Sequence, residues 1–172
     1  DVRKAEENNK GKELTVITTH INADFDALAS MLAAQKLYPD AKVVFPGSQE
    51  KNLKNFFIDS VVYLFNMVDI GDIDFTRIKK LVLVDTRLPN RIGKLKSLLG
   101  RSDMEIHTYD HHPSTENDIR GHIHVHGLTG ANVTLLTEII KEKNIQISAD
   151  EATIMCLGIY EDTGSFTFSS TT

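Results

Sequence analysis

"KKLVLVDT", Lys79 to Thr86, is the stretch on which the fold turns. Two lysines lead into Leu81, Val82, Leu83 and Val84, and the run closes on an acid, Asp85. A short, near-continuous apolar run is the mark of a strand buried on both faces, as in a parallel sheet. Working outward, the same kind of unit recurs. "ELTVITTH" (Glu13 to His20) reads as a strand. "ADFDALASMLAAQKLYP" follows as a helix with a start signal at Asp24 or Asp26 and a stop at Pro39. "AKVVFPG" is a second strand, and "QEKNLKNFFIDSVVYLF" carries helical spacing. Beyond Thr86, "NRIGKLKSLLG" is expected as a helix ending at Gly100, "MEIHTYD" as a strand and "HIHVH" as a short strand. "GANVTLLTEIIKEKN" and "ADEATIMCLGIYEDTG" are expected as amphipathic helices. Strands alternating with helices give an α/β class, a mainly parallel sheet flanked by helices on both faces. Residues 1–12 read as a solvated lead-in and 13–172 as the domain.

Bulk properties bound the function. A chain of 172 residues with 41% hydrophobic and 25% charged side chains suits one globular domain. A net charge of −5 argues against broad electrostatic binding of duplex nucleic acid, which needs a basic surface. An anionic substrate would have to be met locally, by metal ions or a few basic side chains. The single cysteine, Cys156, allows no intramolecular disulfide, and its apolar setting "TIMCLGIY" predicts a buried structural thiol. No apolar run approaches the roughly 20 residues of a membrane span, and no secretory signal is visible. A cytoplasmic location is the expectation.

The ionisable residues collect at one kind of place. His20 closes the first strand, and Asp24 and Asp26 follow in the turn to the helix. Asp85 closes "LVLVD"; Asp110, His111 and His112 close "MEIHTYD"; Asp162 lies just beyond a helix. Ligands of open α/β sheets bind outside the carboxyl ends of the strands, so these groups can share one crevice. Several carboxylates with two or three imidazoles and no thiolate favour ions such as Mn²⁺, Co²⁺ or Mg²⁺. An Asp ahead of a helix is commonly just an N-cap, which applies to Asp24 and Asp26. An acid ending a buried strand, like Asp85, needs a partner. Arg87 and Arg91 follow Asp85; Arg87 could reach a substrate phosphate, whereas Arg91 reads as a helix-start residue. His122, His124 and His126 share one strand face, read as exposed. Asn132 in "GLTGANVTLL" is read as a helix cap, at an N-terminus that could favour anions. As neighbours on an extended segment, His111 and His112 are expected to point to opposite sides.

"HINADFDALAS", "LVLVDT", "YDHHP" and "GIYEDTGSF", in this order and spacing, resemble the four motifs of the DHH phosphoesterase family. The resemblance covers Leu14 to about Phe168, with Ala23 where the family often has Pro. It implies two divalent ions, Mn²⁺ first, with Mg²⁺ or Co²⁺ as alternatives. His20, Asp24 and Asp85 would hold one ion; Asp26, Asp85, His111 and Asp162 would hold the other, with Asp85 bridging. His112 would touch the phosphate or protonate the leaving oxygen, and Asp110 would orient an imidazole. The implied partner is a small phosphorylated substrate or short single-stranded oligonucleotide, with no membrane and with a homodimer compatible. The family's C-terminal substrate-binding domain is expected in further sequence. The wording near Ala23 is most similar to the subgroup joined to CBS domains and a tRNA nucleotidyltransferase or poly(A) polymerase module. The leading expectation is a two-metal phosphoesterase acting on a phosphodiester or phosphoanhydride. The second is a non-catalytic nucleotide- or metal-binding module of a larger RNA nucleotidyltransferase-type protein.

Overall fold

The computed structural model describes residues 11–47 and 59–164. Five strands, β1 (Leu14–Thr18), β2 (Lys42–Val43), β3 (Ile78–Val84), β4 (Glu105–Asp110) and β5 (Ile123–His126), form one sheet in the order β2-β1-β3-β4-β5. Every pairing is parallel. β3 is central, and its Leu81, Val82, Leu83 and Val84 are all 0% exposed. The reason is that both faces of the sheet are covered. Val82, Val84, Ile17 and Tyr109 meet α1 (Phe25–Leu37), α2 (Asn132–Glu142) and α3 (Ala149–Asp162) in one core. Leu81, Leu83, Val16 and Ile106 meet Ile92, Leu95 and Leu98 in a second. Alternate β3 residues thus feed opposite cores, which is why the sequence run shows no alternation of its own.

The second face departs from expectation in kind of helix. The stretch read as a helix over 90–100 instead meets two 3₁₀ turns, Pro89–Arg91 and Gly93–Leu98. Gly93 sets the break: its φ is +56°, which an α-helix cannot contain, and a Cβ there would run into the Pro46 carbonyl. Of the helix read in "QEKNLKNFFIDSVVYLF", residues 49–58 lie outside the described residues, as does most of the lead-in, and Val62–Leu64 forms a 3₁₀ turn.

α1 is wrapped by α2, α3 and the sheet, so Ala27, Ala29, Met31, Leu32, Ala33 and Ala34 are all fully buried. Small residues let α3 come close. At Gly158 of α3 an added Cβ would stand 2.7 Å from the Ala29 Cβ and 3.2 Å from the Phe25 carbonyl oxygen. Glycine costs an internal helix position about 1 kcal/mol relative to alanine, and the close approach is what it permits. Gly158→Val should therefore lose about 1–3 kcal/mol by overpacking, read as a lower urea midpoint at unchanged slope. A midpoint equal to wild type would show that the α1–α3 contact has slack. Cys156, two residues earlier, turns the other way and is exposed, contrary to the sequence expectation. The buried stripe of α3 runs through Ile154, Met155 and Gly158, and Cys156 lies off it.

Candidate metal centre

Three chain exits converge along the carboxyl edge of the sheet. β1 leaves through Thr18 and Thr19, whose hydroxyls donate to the carbonyls of Val44 and Val84 at 2.7 and 2.8 Å. This pins His20 beside β3. β3 leaves at Asp85, whose N–H still donates to the Tyr109 carbonyl at 3.0 Å but whose φ is +58°. Left-handed backbone costs an L-residue roughly 1–2 kcal/mol, and such strain collects where a side chain must be aimed. β4 leaves through Asp110 into His111 and His112.

Asp85 stands at the middle, 3% exposed. Its Oδ2 is 3.3 Å from His20 Nε2; its Oδ1 is 3.3 Å from His111 Nε2 and 3.8 Å from His112 Nδ1. Oδ1 is nevertheless buried without a well-aligned hydrogen bond, and so is His20 Nδ1. Burial raises the Asp85 carboxyl, but the surrounding imidazoles, His111 and His20 foremost, bring it below its ordinary value. Asp85 is therefore an ionised carboxylate with a lone-pair oxygen lacking a donor.

Asp26, in the first turn of α1, is fully buried. Its two oxygens accept from the backbone N–H groups of Asn132 at 2.8 Å and Val133 at 2.9 Å. Asp26 thus caps α2 from another helix, where the N-cap residue, Ala131, offers no side chain. Asn132 is not the cap that the sequence suggested. It is the first residue of α2, and its amide Nδ2 donates to Ser30 Oγ at 3.0 Å. The acid at this helix end is Asp26. Burial, and then the charge of Asp85, push the Asp26 carboxyl up to about 8. Burial also raises Asp162, with Asp85 and Asp24 repelling it. Carboxyls raised by one another's charge form a set that a cation would relieve.

His111 Nδ1 faces the Thr129 carbonyl at 2.9 Å, a partner that only accepts, so this nitrogen carries the proton. Nε2 is left to face Asp85, and it stands 3.7 Å from both Asp26 Oδ2 and Asp162 Oδ2. Burial lowers this imidazole, but the neighbouring Asp85 carboxylate and the Thr129 carbonyl outweigh it and carry it up to about 9. His112 is oriented differently. Its Nδ1 is 2.7 Å from Asp110 Oδ1, which raises it above the ordinary imidazole range, and 47% of its side chain is exposed. Its Nε2 makes no hydrogen bond among the described residues. The two rings do not point to opposite sides: their centroids are 4.5 Å apart and both approach Asp85. β4 has ended at Asp110, so strand alternation no longer applies.

Donor atoms gather in three overlapping sets, each within 4.8 Å: His20, Asp24 and Asp85; Asp26, His111 and Asp162; Asp85, His111 and His112. Asp24 also caps α1 through a 2.9 Å bond from Ala27 N–H, so structural and site readings coexist in it. Asp162 is the final residue of α3 and not beyond it. Oxygen and imidazole donors without thiolate, round a buried carboxylate oxygen with no hydrogen bond, fit divalent ions of the Mg²⁺–Mn²⁺ class.

Arg87 is placed otherwise than expected of a phosphate ligand. It is 4% exposed, and all three guanidinium nitrogens bond within the protein: Nε to Asp110, Nη1 to Ser114 and Asp118, Nη2 to the His112 carbonyl. Among the β5 histidines, all exposed, His124 meets Thr108 Oγ1 at 2.6 Å and His126 meets the His112 carbonyl at 2.8 Å. Sequence reasoning missed Thr129, whose contribution is a carbonyl and has no residue signature. It also missed Glu161, which accepts from Phe25 N–H at 2.8 Å and ties the end of α3 to the start of α1. Its position beside Asp162 in "YEDTG" was the available signal.

Comparison with known proteins adds to this geometry. The family model described as "DHH family, N-terminal domain" matches residues 14–159. An A-adding tRNA nucleotidyltransferase of Geobacter sulfurreducens is 48% identical over 162 residues, covering 92% of this chain and 18% of its own length. A "Probable bifunctional oligoribonuclease and PAP phosphatase NrnA" of Streptococcus mutans is 26% identical over 168 residues, covering 95% of this chain and 50% of its own. The crystal structure of an exopolyphosphatase-related protein from Bacteroides fragilis superposes with a TM-score of 0.63 at 19% identity, over 99% of this chain and 52% of that one, a likeness of fold. The chain spans 18% and 50% of the lengths of these two relatives.

Proposed function

The chain belongs to the DHH family, whose N-terminal domain it carries, and from that membership we propose that it is the metal-holding half of a phosphoesterase. The observation that carries the reading is Asp85, a buried, ionised carboxylate on strained backbone, flanked by His20 on one oxygen and His111 on the other. His20, Asp24 and Asp85 would hold one divalent ion, and Asp26, Asp85, His111 and Asp162 a second. When bound, such ions supply an activated water and a polarised phosphoryl oxygen. The chain's own residues do the rest. Thr129 holds His111 in the tautomer whose Nε2 faces the carboxylates. Asp110 holds His112 by Nδ1, leaving Nε2 to hydrogen-bond or protonate a phosphate oxygen. A small phosphodiester, short oligonucleotide or phosphoanhydride fits an acidic domain that meets its anion locally. The direct test is hydrolysis of bis(p-nitrophenyl) phosphate with Mn²⁺. Wild type should turn over and Asp85→Asn should not; equal rates in both would remove Asp85 from the reaction.

A second reading is favoured by the 48% identity to part of an A-adding tRNA nucleotidyltransferase. In it the domain serves a longer protein that builds RNA ends, and its hydrolytic site acts on RNA termini or is retained for binding. Metal-dependent hydrolysis seen only with an RNA 3′ end, and not with the generic diester, would favour it. Among the described residues no helix is long and apolar enough to cross a membrane.

A further inference from the structure

We propose that Arg87 is a positioning residue that fixes the orientation of His112 through Asp110, and that its guanidinium does not contact substrate. Asp110 is shared: Oδ1 faces His112 Nδ1 at 2.7 Å, and Oδ2 accepts from Arg87 Nε at 2.7 Å. The carboxylate is 2% exposed, so its orientation is decided by these two neighbours and not by water. Arg87 grips the same loop at further points. Nη2 donates to the His112 carbonyl at 2.7 Å, and Nη1 reaches Ser114 Oγ at 3.2 Å and Asp118 Oδ2 at 3.1 Å. The backbone closes the clasp, with Ile119 N–H donating to the Arg87 carbonyl at 2.6 Å. One planar fork therefore spans residues 110 to 118, just after the strand pairing that would otherwise order them has ended. A lysine has one point of charge and cannot make these contacts together. His112 depends on the clasp because its other neighbours, the His111 ring, Asp85 at 3.8 Å and His126 at its carbonyl, do not hold its Nδ1 at hydrogen-bond distance. His111 is held independently by Thr129.

The inference rests on the proposed role of His112 for its meaning, but its test uses the chain without added metal and reads no turnover, so the two can fail separately. Imidazole nitrogens are observed by ¹⁵N NMR in wild type, Arg87→Lys and Ser114→Ala. In wild type and Ser114→Ala, His112 Nδ1 should read as the protonated, carboxylate-bonded nitrogen. In Arg87→Lys it should move towards the averaged position of a free imidazole, while His20 and His111 stay in place. An unmoved His112 signal overturns the proposal. So does a common shift of His20, His111 and His112, which marks general loosening. Should Arg87→Lys not fold, wild type alone decides through its Arg87 Nε–H signal. That signal should stay unchanged on addition of inorganic phosphate, and its displacement by phosphate would make Arg87 an anion ligand.

Discussion

Mn²⁺ added to chelator-treated protein should raise its melting temperature, and should do so more at pH 8 than at pH 6. A ligand bound only by the folded state stabilises it by about 2.7 kcal/mol at a hundredfold excess over Kd, which for a domain of this size is about 5–10 °C. The pH dependence follows from the carboxylate cluster. Asp26 is raised from 3.8 to about 8, so its contribution to the metal-free fold is present below about pH 4 and lost as pH climbs through 8. His111, raised from 6.5 to about 9, contributes below 6.5 and ceases to contribute above 9. Both shifts have the same sign, so the metal-free protein weakens as pH rises through the window in which most proteins are stable. Asp110 runs the other way: lowered to about 2, it contributes above about pH 4 and is lost only in strong acid. Metal ligation requires Asp26 and His111 to give up their protons, and its benefit grows as they deprotonate. An identical melting temperature with and without millimolar Mn²⁺ at pH 8 would contradict a metal centre.

His112→Ala should keep both ions and lose about 10²–10⁴-fold in turnover, the usual range for a positioned acid or base. His111→Ala should lose one ion. The difference lies in what each ring faces. His111 Nε2 stands within 3.7 Å of three carboxylates, whereas His112 is tied by Nδ1 to Asp110 and is half exposed. Elemental analysis of the two variants, alongside turnover of bis(p-nitrophenyl) phosphate, separates the roles. The reverse pattern, with metal lost from His112→Ala and kept by His111→Ala, would exchange them.

The parallel sheet was legible because β3 is covered on both sides, and a doubly covered strand writes its environment into consecutive residues. The gathering of His20, Asp85 and Asp110–His112 was legible for a related reason: parallel strands deliver their carboxyl ends to one edge. What failed to show depends on contacts distant in sequence. Arg87 reads as a free cation in "DTRLPN", and only the fold brings Asp110 and Asp118 onto it. Asp26 reads as a helix-start acid, but its partners are amides 106 and 107 residues away. The 90–100 segment has the spacing of a helix, yet Gly93 must turn left-handed against Pro46. Cys156 lies in an apolar stretch whose buried side is chosen by how α3 meets α1, which the local composition does not encode.

The most direct measurement is the number of Mn²⁺ ions retained per chain by wild type and by Asp85→Asn after gel filtration. The substitution is nearly isosteric and removes only the negative charge that both halves of the site share. If Asp85 joins two ions, wild type retains two and Asp85→Asn at most one, with the circular dichroism of the fold unchanged. Two tightly held ions in the Asp85→Asn protein would contradict the shared carboxylate.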